Sequence, residues 1–402
     1  MRLLNARTIA VEDFSPGKIP RYAILSHTWE DGEISFEDIE RQTVSSKAGY
    51  AKLLASCKQA LLDGLDYVWI DTCCIDKTSS AELSEAINAI RHDIDERSPF
   101  AKSRWYNRGW TLQELLAPAD FVFYSQSWQR LGTKAELRKI ISHVCGIGEP
   151  FLVGERPLAM ASVAARMSWA AQRETTREED RAYSLLGVFG VHIPLLYGEG
   201  GQNAFIRLQE ELVRTSDDQT IFAWHWYGPY REDDYNLPWL ASSPSDFLGC
   251  HDIVVCNRIQ LPSHFFMTNT GIRMELPIVF DNESRFRRTF ALLECRKSMD
   301  YRNTFAVPVV IRGDKCIRAD PSTVLFDRSK AKSRSILFKL HLETSRSHRS
   351  PTQSLISSQK TAMLVLRSLP PGYRIHNVVP PAGWTAWSDG SGCLCCCCCC
   401  CI

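Results

Sequence analysis

Short apolar runs alternate with amphipathic segments in the first third of the chain. Three of these runs end on polar residues: YAILSHTW from Tyr22, DYVWIDTCC from Asp66 and ADFVFYSQSW from Ala119. Near-continuous apolar runs are typical of strands that are covered on both faces of a sheet. We therefore predict three buried strands that each lead into a polar loop.

The segments between these runs carry apolar residues at helical spacing. YAKLLASCKQALLDG ends on Gly64, a suitable C-terminal cap. SSAELSEAINAIR places Ser79 and Glu82 at the spacing of a capping box, and TKAELRKIISHV does the same with Thr133 and Glu136. This alternation predicts an α/β fold with an open, mostly parallel, doubly wound sheet over about residues 20–145.

The pattern changes twice further along the chain. Residues from about 155 to 215 have helical periodicity, whereas short β-prone runs separated by turn residues begin near Ile221. We predict an α/β domain over residues 1–130, a helical extension over 131–220, and a mainly antiparallel β domain over 221–370. A low-complexity tail over 371–402 ends in CLCCCCCCCI.

Composition narrows the class of protein. The 402 residues are 45% apolar and 23% charged, with a net charge of +1, which argues against nucleic acid as a partner. The sequence shows neither a secretory signal nor an apolar run long enough to span a membrane, so the expected location is cytoplasmic. The eight cysteines before the tail form no paired C-x-x-C motifs, so no metal site is predicted.

Four stretches resemble the fungal heterokaryon incompatibility (HET) domain and its downstream helical extension. They are YAILSHTWEDGEISFEDI, DYVWIDTCCIDKTSSAELSEAI, RGWTLQELLAP and EEDRAYSLLGVFGVHIPLLYGEGGQNAFIRLQEEL. The resemblance implies an effector or regulator of vegetative (heterokaryon) incompatibility, in which non-self recognition leads to regulated cell death. Such a module would act through protein partners or self-association.

The HET domain is also distantly similar to TIR domains, which share a flavodoxin-like doubly wound sheet. Some TIR domains hydrolyse NAD with a glutamate in a W-C-x-x-E-L stretch, and WTLQEL places Glu114 at the corresponding position. The resemblance thus implies NAD as a candidate substrate and Glu114 as a candidate catalytic residue. A carboxylate there would stabilise the oxocarbenium-like transition state. The alternative for Glu114 is a solvated helix residue near the positive N-terminus of its helix, without catalytic function.

Other candidate ligand-binding residues lie at predicted strand ends or beside Glu114. Ligands bind beyond the carboxyl ends of strands in open α/β sheets. Ser26 and Asp71 are candidates for binding ribose hydroxyls, while Trp29 and Trp110 are candidates for stacking on a base. His27 is either a ligand-binding or a structural histidine.

Two features depart from an intact family member. The family usually has a further apolar strand before the RGW motif, and this chain has RHDIDERSPFAKSRWYN there. One inner strand of the sheet is therefore expected to be missing, which leaves an inactive, degenerate copy as an alternative. The tail cysteines, including Cys393, Cys395 and Cys396, are candidates for S-acylation and membrane attachment, or else belong to a low-complexity sequence without function.

Overall fold

The computed structural model divides into two compact units. Unit 1 contains Met1–Leu158 and Arg173–Val188, and unit 2 contains Ala159–Gln172 and Phe189–Ile402. The structure describes residues 1–15, 17–41, 43–75, 100–225, 237–256, 265–268, 271–281, 288–312, 315–320, 323–327, 335–342, 384–386 and 394–396. The helix predicted after Ser79 lies outside the described residues.

Helices and strands alternate in unit 1, whereas strands dominate the second half of the chain. The helices are α1 (Phe36–Glu40), α2 (Tyr50–Leu62), α3 (Asp71–Cys74), α4 (Thr111–Leu116), α5 (Arg138–Cys145), α6 (Glu149–Leu152), α7 (Val163–Ser168), α8 (Asp180–Tyr183), α9 (Leu186–Phe189) and α10 (Gly201–Thr215). The strands are β1 (Arg2–Asn5), β2 (Val11–Asp13), β3 (Tyr22–Leu25), β4 (Tyr67–Ile70), β5 (Val122–Tyr124), β6 (Arg130–Thr133), β7 (Ile253–Val255), β8 (Phe266–Thr268), β9 (Gly271–Asp281), β10 (Arg288–Leu292), β11 (Cys295–Lys297), β12 (Asn303–Arg312), β13 (Lys315–Arg318), β14 (Val324–Asp327), β15 (Ser335–Leu342), β16 (Trp384–Ala386) and β17 (Leu394–Cys396).

The principal sheet of unit 1 has the strand order β2-β1-β4-β3. Strands β3 and β4 are parallel, as the sequence predicts, but β1 pairs antiparallel with both β2 and β4. The prediction of a mostly parallel sheet is therefore wrong for the described residues. The described sheet is mixed because an N-terminal hairpin occupies the edge of β4 opposite β3.

This hairpin forms for local reasons. Leu3 and Leu4 are fully buried in the core of unit 1. The Asn5 side chain accepts hydrogen bonds from the backbone N–H groups of Arg7 and Thr8 at 3.0 and 3.2 Å, which closes the turn after β1. The apolar run here is too short to stand out by periodicity, so the sequence pattern did not reveal it.

Helix α2 packs one face against the core and ends as the sequence predicts. Leu53, Cys57 and Ala60 are buried. Gly64 has a φ of 76°, in the left-handed region that favours glycine, and the Leu65 N–H donates to the Ala60 carbonyl at 2.8 Å. The C-terminal cap predicted at Gly64 is confirmed.

The third predicted strand forms but does not join this sheet. Strand β5 pairs antiparallel with β6 in a separate two-stranded sheet. The two hydrogen bonds predicted between Thr133 and Glu136 are present: the Thr133 N–H donates to Glu136 Oε2 at 2.6 Å, and the Glu136 N–H donates to Thr133 Oγ1 at 3.1 Å. The prediction that they cap the helix is wrong, because α5 begins at Arg138 with Leu137 as its N-cap, so the two bonds close a turn before the helix. In the described part of the chain, β3 is consequently the last strand of the principal sheet.

Unit 2 is mainly antiparallel, as predicted from its β-prone runs. Its largest sheet follows the order β10-β12-β13-β15-β9-β8, and an additional β9–β10 pairing closes part of this path into a ring. Its described pairings are antiparallel except for β13 with β15. Arg318 is fully buried and donates to the carbonyls of Phe222 (3.1 Å) and Trp224 (2.6 Å), so its cation is satisfied by backbone acceptors.

Candidate functional site

Glu114 lies on the short helix α4 of unit 1. Leu112 and Leu115 are completely buried and hold this helix against the core. Glu114 is in the first turn, where a carboxylate interacts favourably with the helix N-terminus, and it is 8% exposed. The alternative of a solvated helix residue is therefore wrong for Glu114.

A buried hydrogen-bond network surrounds this carboxylate. Ser26 Oγ donates to Glu114 Oε2 at 2.7 Å and accepts from Trp105 Nε1 at 3.0 Å. Ser26 follows β3 directly, so its position is fixed by the sheet. The single proton of the Ser26 hydroxyl is committed to Glu114, which leaves no donor on Ser26 for a ligand.

Arg173 extends the network from a distant part of the chain. It is buried, and its Nη1 donates to the Arg108 carbonyl and to Thr111 Oγ1, both at 2.9 Å. Thr111 Oγ1 in turn donates to the Trp105 carbonyl at 2.7 Å. Burial lowers the pKa of Arg173, while the nearby Cys145 and Glu114 oppose that shift. Glu114 and Arg173 thus stabilise each other as opposite charges.

A cavity of about 850 Å³ opens beside Glu114. Its lining comes from residues 20–25, from one face of α2 and the residues that follow it (56–68), and from residues 110–128. Trp110 and Glu114 are among the lining residues. This volume lies within the range of small-molecule sites and is also large enough for a short peptide segment.

The remaining predicted ligand-binding residues do not line this cavity. Trp29 donates from Nε1 to Asp71 Oδ2 at 2.7 Å, and the Arg108 guanidinium lies 5.5 Å from the centre of the Trp29 ring. Asp71 begins α3 and is buried. The structure therefore brings Glu114 and Trp110 together at the cavity, with Ser26 behind Glu114, and places Trp29 and Asp71 in a separate contact.

His27 also belongs to a separate buried cluster. Its Nε2 lies 3.5 Å from Glu33 Oε2, and Lys52 contacts the other oxygen of Glu33. Burial acts to raise the pKa of Glu33, but the contacts with His27 and Lys52 outweigh it and hold that pKa at about 2. This arrangement fits the structural alternative for His27.

Cys73 and Cys74 share a hydrogen bond that raises the pKa of the Cys73 thiol and lowers that of the Cys74 thiol. Cys73 and Cys74 are buried, and the hydrogen bond with Cys74 together with burial raises the pKa of the Cys73 thiol well above its usual value. Cys393 lies outside the described residues, and Cys395 and Cys396 lie in β17, which pairs with β16. Within the described ranges, the structure contains no group of three or more metal-ligating side chains.

Sequence reasoning missed three residues of the network, Trp105, Thr111 and Arg173, of which Trp105 and Arg173 are the farthest apart. Trp105 stands in a stretch without β-prone periodicity, and 68 positions separate it from Arg173. Nothing in the local pattern links the two residues. The signal that was available is the unusual content of aromatic residues around Trp105, whose ring packs edge-to-face on Tyr106, Phe121 and Phe123.

Comparison with known proteins finds a family match within unit 1. Residues 22–94 match the sequence model of the Heterokaryon incompatibility protein (HET) family. The chain contains a HET domain. The match starts at β3 and includes Ser26, whereas the partners of Ser26 at Trp105 and Glu114 follow the HET match in sequence.

Two further comparisons bear on the HET domain and on the chain that follows it. The vegetative incompatibility protein HET-E-1 of Podospora anserina is 44% identical over 227 residues, which cover 50% of this chain and 17% of that protein. Residues 203–238 match a domain of unknown function, DUF8212. No solved structure matches the chain. Among the described residues, no helix is both long and apolar enough to cross a membrane.

Proposed function

We propose that this chain acts in heterokaryon incompatibility, as a HET-domain effector or regulator of regulated cell death in fungal non-self recognition. The 44% identity with a vegetative incompatibility protein carries this proposal. Because the match spans 17% of that relative, the proposal concerns the role of the HET domain and no other activity of the relative.

The HET domain is proposed to act in the cytoplasm by binding a protein partner or by self-association. A TIR-like arrangement would suit such a module. The parallel β3–β4 pair, with α2 between its strands in sequence, supports the TIR-like proposal, whereas the antiparallel N-terminal hairpin departs from it. The signal is therefore proposed to pass through binding at the surface around β3 and α4.

Cleavage of NAD by Glu114 is the second candidate function. The observation that favours it is the burial of this carboxylate at the wall of a cavity of about 850 Å³. A carboxylate in such a position stabilises the oxocarbenium-like transition state at the ribose. The charges of the described lining residues oppose it. Asp63 and Asp120 are accompanied by one cation among them, Arg21, whereas binding of a pyrophosphate requires an excess of cations.

The test is inducible expression of the full chain in a filamentous fungus, with cell viability and cellular NAD followed together. Glu114→Gln retains a hydrogen-bond acceptor for Ser26 and removes the carboxylate charge. Glu178→Gln makes the same change at an exposed position and is the matched control. Failure of the unchanged chain to reduce viability, when it is expressed as folded protein, would contradict the incompatibility proposal.

The two mechanisms give different outcomes in the same experiment. Binding of a partner predicts cell death without loss of NAD. NAD cleavage predicts that NAD falls before viability does, and that Glu114→Gln prevents both while Glu178→Gln prevents neither. Death with unchanged NAD would exclude the enzymatic candidate.

Membrane attachment through the tail is a separate proposal. S-acylation of Cys393, Cys395 and Cys396 would add several acyl chains and give stable anchoring. Mass spectrometry of the C-terminal peptide from the fungal host tests it, before and after hydroxylamine treatment. A C-terminal peptide of unmodified mass would contradict the proposal.

A further inference from the structure

Lys134 is a buried lysine in the turn between β6 and α5 of unit 1. It is 4% exposed, and its Nζ donates to the Leu115 carbonyl at 2.9 Å and to the Pro118 carbonyl at 2.6 Å. No carboxylate in the described part of the chain accepts a hydrogen bond from it, so its acceptors are backbone carbonyls. Lysines are almost never buried to this extent unless an opposite charge accompanies them. This ammonium is therefore an exception that needs a physical reason.

The two carbonyls lie at the C-terminal end of α4, where the helix itself supplies few donors. The last carbonyl groups of a helix have no partner inside it. The Ala117 N–H donates to the Gln113 carbonyl at 2.8 Å, but the next residue, Pro118, has no N–H to continue the pattern. A cation at this end also interacts favourably with the helix dipole. Lys134 thus brings both hydrogen-bond donors and a positive charge to the point where α4 ends.

The β5–β6 pair fixes the backbone from which this side chain reaches α4. Val122 of β5 pairs with Thr133 of β6, and the Lys134 N–H donates to the Phe121 carbonyl at 2.9 Å. Leu131 in β6 is buried. The position of the ammonium is consequently set by a strand pair and not by a mobile side chain at the surface.

The opposite end of α4 is held by a second buried cation. Arg173 Nη1 donates to the Arg108 carbonyl, just before the helix, and to the side chain of its first residue, Thr111. Gln113 in the middle of the helix donates to the Ser184 carbonyl at 2.6 Å. A helix of six residues is too short to be stable alone, so contacts from outside determine where α4 lies.

The burial of Lys134 indicates a role in geometry more than in overall stability. Burial lowers its pKa, so the folded chain disfavours the charged form of this side chain. Replacement of a buried charge by an apolar side chain of similar volume is often neutral or stabilising. A methionine would fill the same space without the cost of desolvation, but it would give no hydrogen bond to the carbonyls of Leu115 and Pro118.

We infer that Lys134 is a positioning residue of the candidate site. Its ammonium fixes the C-terminal end of α4, and thereby the orientation of Glu114 within the helix and of Trp110 at its N-cap. The inference rests on the proposed function, in which the surface around β3 and α4 binds a protein partner. A helix that is fixed at both ends presents one surface and lowers the cost of ordering on binding.

The test compares Lys134→Met, Lys134→Arg and Lys139→Met in the full chain. Lys139 is exposed in α5, so Lys139→Met makes the same chemical change away from α4 and is the matched control. We expect hydrogen exchange of residues 110–118 to be about tenfold faster or more in Lys134→Met, because two hydrogen bonds from an ammonium are lost. The midpoint of thermal unfolding should move by less than about 4 °C. Lys134→Arg retains a cation with several donors and should restore most of the protection.

Fluorine NMR of the chain labelled with 5-fluorotryptophan provides a local signal from α4. The resonance of Trp110 is assigned with Trp110→Phe. We expect it to shift or broaden in Lys134→Met, while the resonances of Trp224 and Trp239 in unit 2 stay unchanged. In the fungal expression assay, Lys134→Met should need more protein than the unchanged chain for the same loss of viability, and Lys139→Met should not.

Four results would overturn the inference. Unchanged exchange of α4 with an unchanged Trp110 signal in Lys134→Met would show that Lys134 does not hold the helix. A Lys134→Met protein that does not fold, or that loses protection throughout unit 1, would assign Lys134 to general stability. Lys134→Arg as impaired as Lys134→Met would remove the role of the cation. A displaced α4 with full loss of viability would separate α4 from the function.

The exchange and fluorine measurements use no cells, so they are independent of the proposed function. An unchanged chain that leaves viability intact would contradict the proposed function alone. The two measurements on purified protein would then still decide whether Lys134 positions α4.

Discussion

Removal of the Ser26 hydroxyl is the sharpest test of the buried network in unit 1. Ser26→Ala withdraws the donor to Glu114 Oε2 and the acceptor of Trp105 Nε1 in one change. The Trp105 indole then becomes a buried donor without that acceptor, at a cost of about 1–3 kcal/mol, and Glu114 loses a charge-assisted bond of about 1.5–3 kcal/mol. Partial relaxation reduces the total, so we expect unit 1 to lose about 3 kcal/mol of stability.

Hydrogen exchange measured by mass spectrometry at increasing urea is the assay, since it reports the opening free energy of peptides from β3 and α4 separately from those of unit 2. Ser46→Ala is the control, because Ser46 is exposed and its hydroxyl bonds only to the local Thr43 carbonyl among the contacts described. We expect the control to change stability by less than about 0.5 kcal/mol. Ser26→Thr keeps a hydroxyl and should recover part of the loss.

A double-mutant cycle that combines Ser26→Ala with Glu114→Gln measures the interaction energy between Ser26 and Glu114 separately from their contacts with other residues. Directly bonded residues are expected to show a coupling energy of about 0.5–3 kcal/mol. A Ser26→Ala loss no larger than that of Ser46→Ala, or a coupling energy near zero, would refute the bridging role of Ser26. It would also remove the argument that this hydroxyl is unavailable to a ligand.

Three further predictions concern packing and pH. Gly109→Ala should destabilise unit 1 by about 1–3 kcal/mol, because its Cβ would lie 2.4 Å from Thr175 Cγ2, and Thr175→Ser should restore part of the loss in a thermal melt. The pKa of Glu33 is held at about 2, below its ordinary 4.5, so the stability that ionised Glu33 contributes to unit 1 is present above pH 4.5 and is lost as the pH falls toward 2. Hydrogen exchange measured between pH 4.5 and 2 should show this loss of stability, and Glu33→Gln should abolish the pH dependence. Burial lowers the pKa of His225 from 6.5 to about 4, so unit 2 should lose stability of the order of 3 kcal/mol as the pH falls from 6.5 through 4. If a His225→Gln protein loses the same stability over this pH range, the loss does not come from protonation of His225.

The sequence pattern predicted those parts of the fold that depend on local chemistry. The strands at Tyr22 and Tyr67, the cap at Gly64 and the hydrogen bonds between Thr133 and Glu136 all follow from residues close together in the chain. The pattern did not predict which strand neighbours which. Pairing of the N-terminal hairpin with β4 depends on competition for one sheet edge, and periodicity carries no information about that competition.

The candidate site was predictable to the same extent. A remote family resemblance predicted Glu114 as a site residue. Its burial beside a cavity does not follow from its position in the helix or from its neighbours in sequence. Trp29 and Asp71 were grouped with it because both follow strands, yet they bond to each other. Arg173 could not be predicted, because it lies 59 residues after Glu114 and no local sequence pattern connects the two.

The chain returns to unit 1 at Arg173–Val188. This return determines how long a segment must be to transfer unit 1 intact to another protein. The HET match ends at residue 94, but a recombination break there would leave behind Trp105 and Glu114, and a break at Leu158 would still leave behind Arg173. A gene fusion that carries this domain intact must extend to about residue 188 and therefore takes residues 159–172 of unit 2 with it. In this chain, the segment needed for the intact unit 1 is thus considerably longer than the region that matches the family.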